Sequence, residues 1–247
     1  MQESVTQYGS KIKLKPKKFI FFVILFLLVL VIVLGGIIAL SVNTKKYYFV
    51  DGMEYYIYYT NRESSLSRAE SMADTQKKNG GAGFIVEKNG FYVCAFLYKD
   101  KIGAQTVKDN NNESYPEGGV ITQNTQKLTK RAKNIMKNNQ NYASCIHGFE
   151  DAFNEFYDLA LKCDSQNLSE VEVFNAVFLR YEKINSLSVK FEDANSPFSL
   201  AVDSLAILVK DYLTSSKTAV ERSSGLKEIC FEIINLYNLV AGWLCEQ

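Results

Sequence analysis

Residues 19–42, FIFFVILFLLVLVIVLGGIIALSV, run for twenty-four positions without a charged side chain. As a helix they reach roughly 36 Å at about 1.5 Å per residue, enough to cross a hydrocarbon core of roughly 30 Å with some tilt. No other stretch restricts the chain so strongly, because a segment of this kind needs lipid around it and sorts everything else to one side or the other. Lys11, Lys13, Lys15, Lys17 and Lys18 precede the run and only Lys45 and Lys46 follow it closely. The positive-inside rule therefore puts residues 1–18 in the cytoplasm as a tail and the bulk of the chain outside, on a single-pass protein of the cell membrane. A cleaved signal peptide also begins basic and continues apolar, but its apolar region is about 7 to 15 residues long and ends in small residues. Here the run is longer and only the stretch near Gly35, Gly36 and Ala39 offers small residues, so a retained anchor is expected. The two glycines are adjacent rather than spaced as GxxxG and carry no helix-pairing signal. The flanking lysines are expected to hold the helix against anionic membrane lipid.

Beyond the span lie about 205 residues, one or two ordinary domains by length. Residues 43–124 carry 10 basic and 10 acidic side chains and residues 125–247 carry 13 and 16. That near balance excludes the basic composition of a nucleic-acid binder. The five cysteines, Cys94, Cys145, Cys163, Cys230 and Cys245, contain no CxxC pair and are odd in number. One bridge or two are possible, and a disulfide-stapled mini-domain is not implied.

Residues 45–125 read as α+β. YYFVDGMEYYIYY is rich in aromatic and β-branched types, and Asp51-Gly52 is a two-residue hairpin signal. Whether residues 47–50 pair back on 53–59 or lead into them is left open by the sequence. A helix follows Ser64 and Ser65, with Leu66, Ala69, Met72, Ala73 and Gln76 on one face, and Asn79-Gly80-Gly81 ends it. Residues 83–87 form a strand, Lys88-Asn89-Gly90 a hairpin turn and residues 91–98 its partner. Residues 101–108 are a short helix, 109–118 a loop and 119–123 a last strand. The order is β-α-β-β-α-β, whose two β-α-β halves form one antiparallel sheet with both helices on one face. The other face is expected to be open, and a bare aromatic face is a candidate binding surface.

Residues 55–69, YYIYYTNRESSLSRA, and 91–104, FYVCAFLYKDKIGA, resemble the two half-repeats of the SPOR (sporulation-related) domain, in which an aromatic strand leads into a helix that opens near an alanine. KKNGGAGFIVEKNG between them is similar to that family's helix end, second strand and turn. The family's first-half strand-end glycine and phenylalanine fall at Asn61 and Glu63, and the second-half glycine at Phe96. The resemblance implies binding of peptidoglycan glycan strands stripped of stem peptides, at division or sporulation septa, by a non-catalytic domain without a cofactor.

Residues 126–247 change texture. Leu128, Ala132, Ile135, Asn139, Tyr142, Ile146, Phe149, Phe153, Phe156, Ala160 and Cys163 alternate spacings of four and three, which predicts one helix of roughly 37 residues near a heptad pattern. A second helix starts around Ser169, with Phe174, Val177, Phe178, Tyr181, Ile184 and Leu187 inward. Asn195-Ser196-Pro197 marks a boundary with Ser196 as cap and Pro197 at the first helical position. Phe198, Ala201, Leu205, Leu208, Val209 and Tyr212 mark the third helix. The fourth runs from about Ser216 to Leu244, with Leu226, Ile229, Ile233, Leu236, Val240 and Trp243 inward. Together they predict an antiparallel four-helix bundle. Asn235, Asn238 and the preceding Glu232 interrupt the apolar run of the last helix, so it reads as the bundle's central helix and not a second span.

Catalytic chemistry finds little purchase. His147 is the single histidine, in Cys145-Ile146-His147, and zinc needs three or four ligands where this is two. On a helix, positions two apart face apart, so the pair does not converge as nucleophile and base either. Glu150-Asp151, Glu155, Asp158 and Glu192-Asp193 read as solvated helix faces with no preferred pair for glycoside hydrolysis. Lys127, Lys130, Arg131, Lys133 and Lys137 form a basic stripe, read first as solvated and second as a contact for anionic wall polymer or lipid. The tyrosines carry more. An aromatic ring stacks on a sugar ring and presents a polar tip, and strand side chains alternate faces. Alternation puts Tyr92, Cys94 and Phe96 on the expected open face, and the match between the half-repeats adds Tyr55 and Tyr59 to them as the glycan-binding set, or the five complete a core beneath the helices. The sequence thus predicts a tail (1–18), a transmembrane helix (19–42), a SPOR-like α+β domain (45–125) and a helical bundle (126–247). Its expected partners are peptidoglycan glycan strands and membrane lipid, with an envelope protein on the bundle as the competing expectation.

Overall fold

A computed structural model describes residues 47–188, 190–191, 196–215 and 217–247. The expected cytoplasmic tail, the expected span, Glu192-Asp193, Asn195 and Ser216 lie outside the described residues. What is described is an α+β unit, with seven α-helices and a four-stranded antiparallel sheet among those residues.

The described residues open on a 3-10 turn, Phe49–Asp51, closed by Gly52 in the left-handed region at φ +84°. Asp51-Gly52 is therefore the end of a helical turn and not a hairpin. Strand β1 is Glu54–Glu63, helix α1 Leu66–Lys78, β2 Phe84–Glu87, β3 Phe91–Tyr98, α2 Lys101–Asn110 and β4 Gly119–Asn124. The sheet order is β2-β3-β1-β4. β1 lies between β3 and β4, and its register against β3 shifts at Tyr58, Tyr59 and Asn61. Such shifts bend and twist a strand locally. Between α1 and β2 the chain turns through Gly80 and Gly83, both at positive φ. A Cβ on Gly83 would sit 2.4 Å from the Ala73 carbonyl oxygen, so the turn closes against the helix only without a side chain there.

The remaining helices are α3 Lys130–Asn138, α4 Gln140–Asp164, α5 Glu170–Ser188, α6 Pro197–Thr214 and α7 Ala219–Glu246. The long helix expected from residue 128 onward is two helices. Asn139 takes an extended conformation and its side chain accepts from the backbone N–H groups of Asn141 (3.0 Å) and Tyr142 (3.3 Å). Asparagine is among the best N-cap residues because its short acceptor reaches the unsatisfied donors of a first turn, and the single polar position of the apolar pattern is where the helix restarts. Other starts follow the same chemistry. Asp100 caps α2, Thr129 caps α3, Ser196 caps α6 with Pro197 behind it, and Thr218 and Glu221 form a reciprocal capping box on α7.

α4 and α7 pack side by side, α5 lies on α4, and α6 bridges α5 and α7. α7 is the central helix, with Leu226, Ile229, Cys230, Ile233, Ile234, Tyr237, Val240, Ala241 and Leu244 buried and Asn235 and Leu239 exposed. It is also the one helix among the described residues long and apolar enough to cross a membrane, with half of its most apolar stretch buried within the fold. The sheet and the helices share one hydrophobic core, from Tyr55, Ile57 and Phe96 through Phe153 and Phe156 to Ile233 and Tyr237. A smaller cluster, Ala69, Ala73 and Val93 with Ile85 and Phe91, joins α1 to the other sheet face. The α+β and helical segments are thus packed as one unit, residues 47–247. Several inward assignments move outward. Leu66 and Met72 on α1 and Phe174 and Phe178 on α5 are exposed, while Ala69, Ala73, Val177 and Ile184 fill the core-facing positions.

Candidate functional site

Tyr55, Tyr59, Tyr92, Cys94 and Phe96 lie on one face of the sheet, and all five belong to or pack against the core shared with the helices. The face is not open. Tyr55, Cys94 and Phe96 are 3%, 0% and 2% exposed. Phe96 stacks on Tyr157 of α4 at 5.3 Å, and Phe84 of β2 stacks on Phe231 of α7 at 4.7 Å. The physical reason is area. Ile57, Phe84, Val86 and Ile121 add to the five and make this face apolar across all four strands. At about 25 cal/mol per Å² such a surface is costly to leave in water when an apolar helix can cover it. Tyr55 Oη donates to Gln123 Oε1 at 3.0 Å, and burial, with the nearby Cys94, pushes the phenol up to about 12. Burial also raises the Cys94 thiol. Only Tyr59 and Tyr92 keep partial exposure, packed edge to face at 4.8 Å at one corner, with the Arg62 guanidinium 5.4 Å from the centre of the Tyr92 ring.

Polar contacts tie the helices to the sheet. Lys227 of α7 is buried, and its Nζ donates to the Gly80 carbonyl (2.7 Å) and the Asp164 carboxylate (2.8 Å) while lying 5.6 Å from the Phe96 ring centre. Ser224 Oγ donates to the Gly81 carbonyl, Lys77 pairs with Glu228, and Tyr237 Oη donates to the Gln126 carbonyl. Lys99, just after β3, donates to Asn154 Oδ1 at 2.8 Å and lies 4.3 Å from the Tyr157 ring centre. Desolvation lowers its ammonium pKa despite the nearby carboxylate of Asp158.

One structural side chain escapes sequence reasoning. Glu150, placed with Asp151 on a solvated face, is 2% exposed. Its carboxylate accepts from the backbone N–H groups of Tyr48 (2.6 Å) and Phe49 (3.0 Å), donors that the start of the 3-10 turn leaves unsatisfied. Burial raises its pKa, opposed by those two N–H donors. Phe49 is then held between Phe153 and Tyr237, Tyr47 stacks on His147 at 3.8 Å, and Thr125 Oγ1 bonds both Met53 N and Phe49 O. Glu150 thereby pins the first described residues onto α4. The one local hint is its position between Phe149 and Phe153, both core residues.

The Cys145 and His147 side chains do not meet as a pair. Cys145 is fully buried, with its thiol raised by burial. His147 is half-buried on the Tyr47 ring, its pKa lowered by desolvation against the opposing charge of Asp151. A cleft of about 380 Å³ beside it is lined by Tyr47, His147, Asp151, Arg180, Lys183 and Leu187. Arg180 and Lys183 both pair there with Glu155. All five cysteines are free thiols, so no bridge forms. Among the described residues no group of three or more His, Cys, Asp or Glu side chains converges as a metal site. Among the same residues, Tyr58 Oη is the buried side-chain polar atom without a hydrogen-bond partner. No protein-family model, curated protein or solved structure matches the chain.

Proposed function

We propose that this chain is a single-pass, membrane-anchored, non-catalytic interaction protein whose outer unit docks an envelope protein through α5 and α6. The observation that carries this reading is the covered sheet face: the surface best suited to stack sugar rings is spent on holding the helices. The helices meanwhile leave apolar side chains outside. Val171, Phe174, Phe178 and Leu179 on α5 and Leu200 and Ile207 on α6 are between 44% and 66% exposed. Phe174 and Phe178 stack on one another at 6.3 Å. Exposed aromatic anchors of this kind are typical of protein interfaces. The β-α-β-β-α-β element order supports a distant relation to SPOR domains, with glycan recognition given up to internal packing.

The glycan-binding reading retains one observation in its favour, the half-exposed Tyr59, Tyr92 and Arg62 corner. The two readings separate on surface variants. Deletion of residues 126–247 would strip the sheet of its cover and test folding instead. The full chain is fused to a fluorescent protein and followed in cells, and its binding to amidase-treated sacculi is measured. Phe174→Asp with Phe178→Asp is expected to abolish localisation, and Tyr59→Ala with Tyr92→Ala to leave it intact with no sacculus retention in any form. Sacculus retention that disappears with Tyr59→Ala and Tyr92→Ala would overturn the proposal in favour of glycan binding.

A further inference from the structure

We propose that the exposed face of α3 docks on the anionic headgroups of the membrane that the chain's own span occupies. This rests on the anchor reading above and adds to it a lipid contact of the outer unit. Three observations converge. The first is the helix surface. At 3.6 residues per turn, Lys130, Arg131, Lys133 and Lys137, with Asn134 and Asn138, occupy one continuous arc of α3, and Ala132 and Met136 are buried behind it. The exposed arc holds no apolar side chain, and Lys127 extends it toward the N-terminus. With its apolar side already committed to the core, α3 can bind a membrane by charge without inserting.

The second is charge segregation. Residues 118–149 contain five basic residues and no acidic one, whereas residues 150–247 contain eight basic and sixteen acidic. An anionic surface attracts the first stretch and repels the second.

The third is position. α3 is attached directly to the start of the described chain: Leu128 N donates to Val50 O at 3.2 Å, and Lys133 pairs with Asp51 at 2.6 Å. Only residues 43–46 separate Tyr47 from the end of the apolar run. Four residues span at most about 14 Å when extended. That is under two screening lengths of about 8 Å at physiological salt, so the tether keeps the lysines next to that start close to the headgroups.

The full chain is reconstituted in nanodiscs of phosphatidylcholine alone and of phosphatidylcholine with an equal share of phosphatidylglycerol, and amide hydrogen exchange is followed across residues 127–138. A basic residue at such a surface changes local affinity about fivefold, so exchange of these amides is expected to slow at least about fivefold on the anionic discs alone. Salt at about 0.5 M, which shortens the screening length to about 4 Å, restores the faster rate. So does the variant Lys127→Gln, Lys130→Gln, Arg131→Gln, Lys137→Gln, which leaves the Lys133 pair in place. Alkaline carbonate extraction separates the two levels of inference. A chain that stays in the membrane pellet and exchanges equally on both lipids overturns the docking of α3 while the anchor stands. A chain released by carbonate removes the anchor and the docking with it. The lipid and salt comparisons use the unmodified chain, so they decide the question even if the variant fails to fold.

Discussion

Replacing Glu150 by alanine withdraws the acceptor from two backbone donors at once. The Tyr48 N–H lies at the edge of the fold, next to an exposed side chain, and water can take over its bond. The Phe49 N–H is buried, with Phe49 at 0% exposure, and is left unsatisfied. A buried orphan donor costs about 1 to 3 kcal/mol, and a hydrogen bond to a charged group contributes about 1.5 to 3 kcal/mol. Against this, the substitution relieves the desolvation that raises the Glu150 carboxyl. The balance is a loss of about 2 kcal/mol for Glu150→Ala. Glu150→Gln loses about 1 kcal/mol, because its carbonyl still accepts one bond. The assay is urea unfolding of a fragment of residues 47–247, followed by circular dichroism, and the larger loss corresponds to a fall in Tm of about 4 to 8 °C. pH gives a second reading. With the native pKa raised, the folded state holds the Glu150 proton more tightly than the unfolded chain does. That contribution is complete below the unfolded glutamate value of about 4.3 and is lost as pH rises through the native value. The stability difference between wild type and Glu150→Gln should therefore shrink as pH rises through that window. Losses under about 0.5 kcal/mol for both variants, within the range of ordinary surface substitutions, would refute the assignment of Glu150 as the group that pins the start of the fold.

Other outcomes test the packing. With an aromatic disulfide reagent, Cys163 and Cys245 should react in the native protein and Cys94, Cys145 and Cys230 only after unfolding, since those three are 0% exposed and their thiols are raised by burial; a third fast thiol would contradict the buried arrangement. Phe96→Ala, which empties the site against Tyr157, should cost about 3 to 5 kcal/mol in the same urea assay. A cost under about 1 kcal/mol would mean the sheet face is solvated. Tyr58→Phe should be neutral or stabilising by up to about 1 kcal/mol, because it removes a buried hydroxyl with no partner, and a marked loss would reveal a bond to that oxygen. Thr218→Ala should cost about 1 kcal/mol by opening the capping box of α7, measured as a shift in Tm.

Much of the secondary structure was legible because its causes are local. Residues 91–98 read as a strand from aromatic and β-branched content, Lys88-Asn89-Gly90 as a turn, and Ser196-Pro197 as a helix start, and each stands in the fold at that place. Asn139 was legible in composition and misread in role: it was the one polar residue in an apolar pattern, and a cap is what such a residue does when the chain can bend there. Alternation grouped Tyr92, Cys94 and Phe96, and likewise Tyr55 and Tyr59, within their own strands, a consequence of the two-residue period of a strand, while the match between the half-repeats put the two groups on one face.

What covers that face was not legible. Periodicity says which side chains share a surface and is silent on which surface they meet, since that depends on matching apolar areas across the whole unit. Phe174 and Phe178 carry the same residue type as Phe149 and Phe153, yet one pair is exposed and the other buried. Glu150 looks like any helix-surface carboxylate, and the backbone it binds lies 101 and 102 positions away in the chain. The sequence by itself determined most of the strands and helices, the Ser196-Pro197 start and the apolar run at residues 19–42 that predicts an anchor, because these depend on neighbours within a few residues. Only the tertiary structure decided that the aromatic sheet face is a core and that Glu150 is a clamp, because burial is settled by partners brought together from distant parts of the chain.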